Sequence, residues 1–407
     1  MGSGAVSRRR AMKLAGAGLV LLGAGAAGCG PEDDAPGGGG TQSPGTGAGT
    51  GKPGEGAGTS APGGTPRARW QAPSTNDGLV AITALAVAGN VVVVAGDPLV
   101  GRDISTGKEV WSRKDVTTPG ANMLIGDGTL YLASAKYDGN VVGLNPATGR
   151  ETWRSRLGDK YSQPRVIAVD ANRVYVVAGI LDEEFRTPDN AIAAIDTTSG
   201  KVVWREQRDH GTEENGITAV VAGGRLVYTD FRENLTVRDA ATGRQTWTKK
   251  IGRSNNRSFA VHDGLVILAN GDRMRAYDLA DGKERWSFGT EEFGRFNDPA
   301  VLDGVLYASD SVHGLWAADP ATGKKIWHHA GLLEIAVPWQ FAKVGDVLYG
   351  ATELDEHGGI HAFDAGTGKL RWTYNDGSGD VQQWYLAAAG KQVVALHAKK
   401  VTGLPAV

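Results

Sequence analysis

ADPATGKKIW, residues 318–327, is one of seven versions of a single phrase. The others are RDISTGKEVW (102–111), LNPATGRETW (144–153), IDTTSGKVVW (195–204), RDAATGRQTW (238–247), YDLADGKERW (277–286) and FDAGTGKLRW (363–372). In every copy an Asp or Asn stands four residues before a Gly, and that Gly stands four before a Trp. The acid or amide opens a turn by accepting from nearby backbone N–H groups. The Gly supplies the positive φ such a turn needs. The Trp is large enough to fill the gap between neighbouring sheets. The phrase therefore reads as a hairpin joining two strands.

Upstream of each phrase lie a second turn and an apolar strand, as in GDGTLYLAS (126–134), LDGVLYASD (302–310) and VGDVLYGAT (344–352), whose Asp-Gly or Gly-Asp pairs are hairpin signals. A third apolar run precedes that, as in NMLI (122–125) and GITAVVA (216–222). With the Trp strand, each period holds four short antiparallel strands. Trp70, Trp111, Trp153, Trp204, Trp247, Trp286, Trp327 and Trp372 set a period of about 40–45 residues, the arithmetic of a propeller blade. After Trp372 the chain holds three more strands and no phrase, while Trp70 has no complete blade before it. The expectation is an all-β, eight-bladed β-propeller of four-stranded antiparallel blades. Its N-terminal strand closes the last blade and leaves no open sheet edge at the seam.

Three segments follow. Residues 1–28 carry Ser7-Arg8-Arg9-Arg10-Ala11-Met12-Lys13, a twin-arginine export pattern, then a short Gly-rich apolar stretch ending Ala26-Ala27-Gly28-Cys29. This ending resembles a bacterial lipobox, with Ala26 where Leu is usual. Cys29 is the only cysteine, which rules out an intramolecular disulfide and makes lipidation its expected role. Residues 29–65 are rich in Gly, Pro and Thr, too poor in apolar groups to offset ordering entropy, and are expected to form a disordered tether. Residues 66–407 form the ring. The whole chain carries a net charge of −2, and loss of Arg8, Arg9, Arg10 and Lys13 makes it more acidic, so nucleic acid is not an expected partner.

The repeats as a set resemble those of the pyrroloquinoline-quinone (PQQ) propeller superfamily, over essentially all of residues 66–407. The lipobox, length and blade count are similar to its non-enzymatic BamB-like lipoproteins; the twin-arginine signal and long tether depart from them. The resemblance implies an extracytoplasmic, membrane-anchored, monomeric binding scaffold for a protein or cell-envelope ligand, with no cofactor. The alternative it implies is a quinoprotein dehydrogenase that oxidises alcohols or sugars with PQQ and calcium. One cysteine cannot form the vicinal disulfide of many such enzymes. The eight histidines form no metal-spaced cluster in the sequence.

The residues that break the repeat are the candidates for binding. Trp339 and Trp384 occupy equivalent places where the first strand of a blade begins, followed by Gln340 and Tyr385; Arg257, Asn297 and Asp298 fall at the matching place in other blades. These starts lie at one mouth of the central channel. They read either as a ligand funnel or as a plug that shields the core. Two acidic insertions, Leu181–Asn190 and Glu353–His357, fall between the second and third strands of opposite blades, on the same face. The first is expected to account for the long interval from Trp153 to Trp204.

Overall fold

The computed structural model describes residues 64–76, 83–117, 121–136, 138–210, 217–230, 232–251, 259–290, 294–312, 314–330, 337–353 and 355–406, with only the backbone at 209 and 210. Cys29, the export and tether segments up to residue 63, and Arg257 lie outside them. The ring belongs to one compact unit, Gly58–Val407.

Eight four-stranded antiparallel sheets form the eight blades. Blade 1 runs through Leu85–Ala88, Val91–Val94, Leu99–Asp103 and Glu109–Arg113. Blades 2 to 7 follow in chain order. Blade 8 takes Tyr385–Ala389, Gln392–His397 and Lys400–Pro405 from the C-terminal region and Trp70–Pro73 from the N-terminal region. The expected clasp is thus present, with Trp70 opposite Gly403 and Pro73 opposite Lys400. The first strands of neighbouring blades lie side by side at seven of the eight joints, including that of blades 8 and 1, so they ring the axis. Each second strand is almost wholly buried, as at Val91–Val94 and Val347–Thr352, whereas each fourth strand is an exposed outer edge.

The phrase is both turn and inter-blade joint. Asp319 Oδ1 accepts from the N–H of Ala321 and Thr322 and from the Thr322 hydroxyl, at 3.0, 2.8 and 2.9 Å. The same pattern recurs at Asp103, Asp196 and Asp239. The side-chain hydroxyls of Thr106, Thr242 and Thr322, then the turn amides, hold the Asp103, Asp239 and Asp319 carboxyls below the usual carboxylate range. Six of the eight periodic tryptophans, Trp70, Trp111, Trp204, Trp247, Trp286 and Trp327, then donate to the phrase of the next blade. Trp111 Nε1 donates to Pro146 O at 2.8 Å, Trp204 to Ala240 O at 2.9 Å, and Trp327 to Ala365 O at 3.1 Å. At Gly149, φ is 66° and an added Cβ would come 2.5 Å from the Trp111 ring. The glycine therefore meets two demands, a left-handed backbone and the approach of the neighbour's indole. Trp372 faces blade 8, which has no phrase because its third and fourth strands come from opposite ends of the chain. Its Nε1 is buried with no hydrogen-bond partner, as is that of Trp153, although Trp153 does face a phrase.

Blade 3 corrects one expectation. Its strands, Tyr161–Val169, Arg173–Ile180, Asp189–Asp196 and Val202–His210, are 9, 8, 8 and 9 residues long, against 4, 4, 5 and 5 in blade 1. The long interval is taken up mainly by strand length; Asp189 and Asn190 open the third strand and are not loop. The phrase turns align on one face, so the extra length rises from the other. At about 3.3 Å per residue, the blade 3 sheet stands roughly 13 Å taller than that of blade 1.

Candidate functional site: the upper face and channel mouth

The upper face is the one opposite the phrase turns. Antiparallel order places there the start of every first strand, every connection between second and third strands, and the linkers between blades. The sequence candidates at the mouth of blades 7 and 8 do come together, but inward. Trp339 lies at a bulge in Pro338–Val344, where the register shifts between Pro338 and Gln340. Its ring is 8% exposed. Trp339 Nε1 donates to Trp384 O at 3.0 Å, and its ring meets Tyr385 edge-on at 5.7 Å. Gln340 Oε1 accepts from Leu386 N at 2.9 Å. All four of these candidates, Trp339, Gln340, Trp384 and Tyr385, therefore join blade 7 to blade 8.

Trp384 is 1% exposed and its N–H donates to Thr352 O at 3.1 Å. Its indole stacks on the His397 ring, centroids 4.1 Å apart and planes within 4° of parallel. His397 Nδ1 lies 3.3 Å from Asp376 Oδ2; a carboxylate only accepts, so the imidazole donates through Nδ1. Lys400 Nζ lies 3.2 Å from the same oxygen. Burial pushes the Asp376 carboxyl up, but the Ser378 hydroxyl and amide and His397 outweigh it, and the group sits below the usual carboxylate range.

Blade 6 repeats this arrangement with other wiring. Trp316 stacks on His328 at 3.8 Å and donates through Nε1 to Asp310 Oδ2 at 2.6 Å. Asn297 turns onto its own blade, its Nδ2 donating to Ser309 Oγ at 3.0 Å. Asp298 is half-buried beside it. Ser309 Oγ in turn donates to Pro338 O, the residue before Trp339, so Asn297 reaches that cluster through one hydroxyl.

Sequence reasoning missed Asp376, His397 and Asp310. They come from linkers and strand ends with no repeat to mark them. It also missed the buried pair Arg208–Asp230, 3.5 Å apart, which ties the top of blade 3 to blade 4. Among the described residues no three of His, Cys, Asp or Glu are placed to hold a metal ion.

The family model for outer membrane protein assembly factor BamB matches residues 60–179, 106–263 and 239–402. The chain belongs to the BamB family of PQQ-like β-propellers. Overlapping matches are what tandem blades produce. BamB of Xanthomonas campestris pv. campestris is 25% identical over 311 residues, covering 68% of this chain and 69% of that protein. Tetrathionate hydrolase of Acidithiobacillus ferrooxidans is 25% identical over 279 residues, covering 61% of this chain and 51% of that one. The chain thus spans about half the length of that relative. Among solved structures, BamB of Moraxella catarrhalis aligns with a TM-score of 0.58 at 14% identity, over 84% of this chain and all of that one (100%). The quinohemoprotein alcohol dehydrogenase ADHIIG of Pseudomonas putida HK5 aligns with a TM-score of 0.58 at 12% identity, over 84% and 76%. At such identities these structures speak for the fold alone, which BamB-type scaffolds and quinone enzymes share.

Proposed function

We propose that this BamB-family propeller is an exported lipoprotein, held at the cell membrane by Cys29 and a flexible tether, whose upper face binds a protein or cell-envelope ligand without catalysis. The observation that carries this reading is the wiring of the mouth. The polar atoms of Trp339 and Gln340 join blades 7 and 8, and Trp384 is packed inside. That leaves the rim, and not the channel, to meet a ligand. Loops raised on a rigid scaffold are where binding commonly resides. The BamB name of its relatives supports a protein partner; the twin-arginine pattern and the tether leave the kind of envelope open.

Two experiments test it. Purified protein given PQQ, calcium and an electron-accepting dye should oxidise neither alcohols nor aldoses; steady dye reduction would replace the scaffold by a dehydrogenase. Mass spectrometry of membrane-associated protein should find an acylated residue 29, and Cys29→Ser should release the ring from membranes. An unmodified cysteine in the membrane fraction would remove the anchor from the proposal.

A further inference from the structure

Singly exposed hydrophobic side chains are ordinary on protein surfaces. Phe185 is not an ordinary case. It is 83% exposed, whereas the other large exposed apolar residues, Val110, Val203, Val312, Ile326 and Val381, range from 36% to 55%. It sits at the tip of the tallest blade, between Ile180 and Asp189. It adopts φ 61°, a left-handed conformation that a Phe rarely takes and that holds its side chain away from the loop.

The loop beneath it is wired. Asp182 accepts from Glu184 N at 3.0 Å and from Arg186 N and Nε at 2.8 Å each. Arg186 also donates to Glu184 at 2.8 Å, and Phe185 N donates to Asp182 O at 3.1 Å. Below, Arg205 lies over the Tyr161 ring at 4.8 Å, and the Arg208–Asp230 pair braces the blade against its neighbour. An aromatic group displayed on a braced loop loses little freedom on docking, which is how a few residues come to dominate an interface. The loop that carries the ring holds Asp182, Glu183, Glu184 and Asp189 against Arg186, with Lys160 at the same end of the blade, where its carbonyl accepts from Leu181 N. An acidic border disfavours an anionic lipid surface.

We infer that the crest of blade 3 is a protein-docking site, with Phe185 as anchor for an apolar socket rimmed by basic residues on a partner protein. This rests on the scaffold reading and names its contact point. The test places a photo-reactive phenylalanine analogue at 185 in the full-length protein, with Ile326 and Val381 as control positions, and irradiates native envelopes. Position 185 should give one discrete adduct. The protein identified from it, once purified, should bind Phe185→Ala at least about tenfold more weakly. Phe185→Trp should retain binding, and Glu183→Lys should weaken it and flatten its salt dependence, with melting temperatures unchanged in all three.

Unchanged affinity of Phe185→Ala for that protein would overturn the inference. So would an adduct of two copies of this chain, which would make the crest a self-association surface. A discrete partner from Val381 or Ile326 but none from 185 would sink the crest and leave the scaffold reading standing. No adduct at any position would count against both.

Discussion

The two faces of the ring are built under opposite rules. On the lower face seven near-identical turns each place a carboxylate or amide, a glycine and a lysine or arginine, and each receives the tryptophan of the preceding blade at almost every joint. On the upper face the described parts of the blades diverge, and even a shared Trp–His stack is wired differently in blades 6 and 8. Blade 6 uses Trp316, His328 and Asp310; blade 8 uses Trp384, His397 and Asp376; blade 3 rises above the rest. Repetition is what a closed ring needs, because every joint must span the same angle. Departure from it is what recognition needs, because a partner must tell one sector from another.

The largest way to break this contrast is at the seam, where the two rules meet. A chain beginning at Asn76 lacks Trp70–Pro73, which pairs with Lys400–Pro405 and whose Trp70 donates to Ile104 O at 3.0 Å. Loss of the Trp70 burial alone should remove about 3–5 kcal/mol. Denaturant unfolding should show a much weaker protein that binds sheet-edge dyes. Melting like the full ring would refute the closure.

Trp339→Ala with Trp384→Ala comes next. As departures from the repeat, these residues read in the sequence either as a ligand funnel, dispensable for folding, or as a plug that shields the core. Their burial now predicts otherwise: Trp384→Ala alone should cost about 3–5 kcal/mol by opening a cavity against His397 and Tyr374. An unchanged unfolding midpoint for the double variant would return them to the list of surface contacts.

On the lower face, Gly149→Ala should cost about 2–4 kcal/mol, combining a left-handed residue with an overpacked joint. Gly128→Ala, at φ 71° with nothing within 4 Å of the added Cβ, should cost only about 1–2 kcal/mol. Equal losses at the two sites would mean that the joint, as opposed to the turn, contributes nothing.

The smallest effect is electrostatic. The phrase carboxyls are held below their unfolded value in the fold, so their contribution is complete above about pH 5 and is lost as pH falls through the folded values. Asp319→Asn keeps the turn geometry, as Asn145 does in blade 2, and removes the charge. The wild-type advantage over this variant in urea midpoint should close between about pH 5 and pH 2. A gap that persists undiminished into acid would show that charge is not its source.

The lower face was legible because one phrase, read once, could be checked six more times. Blade number, strand number and even the N-terminal clasp followed from counting Trp70 to Trp372. The upper face was legible only in outline. Trp339 and Trp384 could be recognised as exceptions, but side chains alternate faces along a strand, and the bulge at Pro338–Gln340 resets that alternation. No pattern in the sequence announces a bulge. Asp376 and His397 are far from Trp339 in the chain and meet Trp384 only through folding. The extra residues of blade 3 were visible as a long interval, but whether they lengthen a loop or four strands depends on pairing across the sheet.

The clasp sets an order of events. The chain is made from its N-terminus, so the strand bearing Trp70 is the first part of the ring to be synthesised. Its seat on Lys400–Pro405 is the last. Until that seat is made, every copy carries one unseated strand, and afterwards one vacant edge for as long as the two have not met. Copies crowded on one messenger can fill each other's vacancy as readily as their own, and the product would be an exchanged dimer with every native contact intact. A ring sealed by its own earliest segment thus has its window for mistaken pairing at the end of its synthesis, when all other blades are complete.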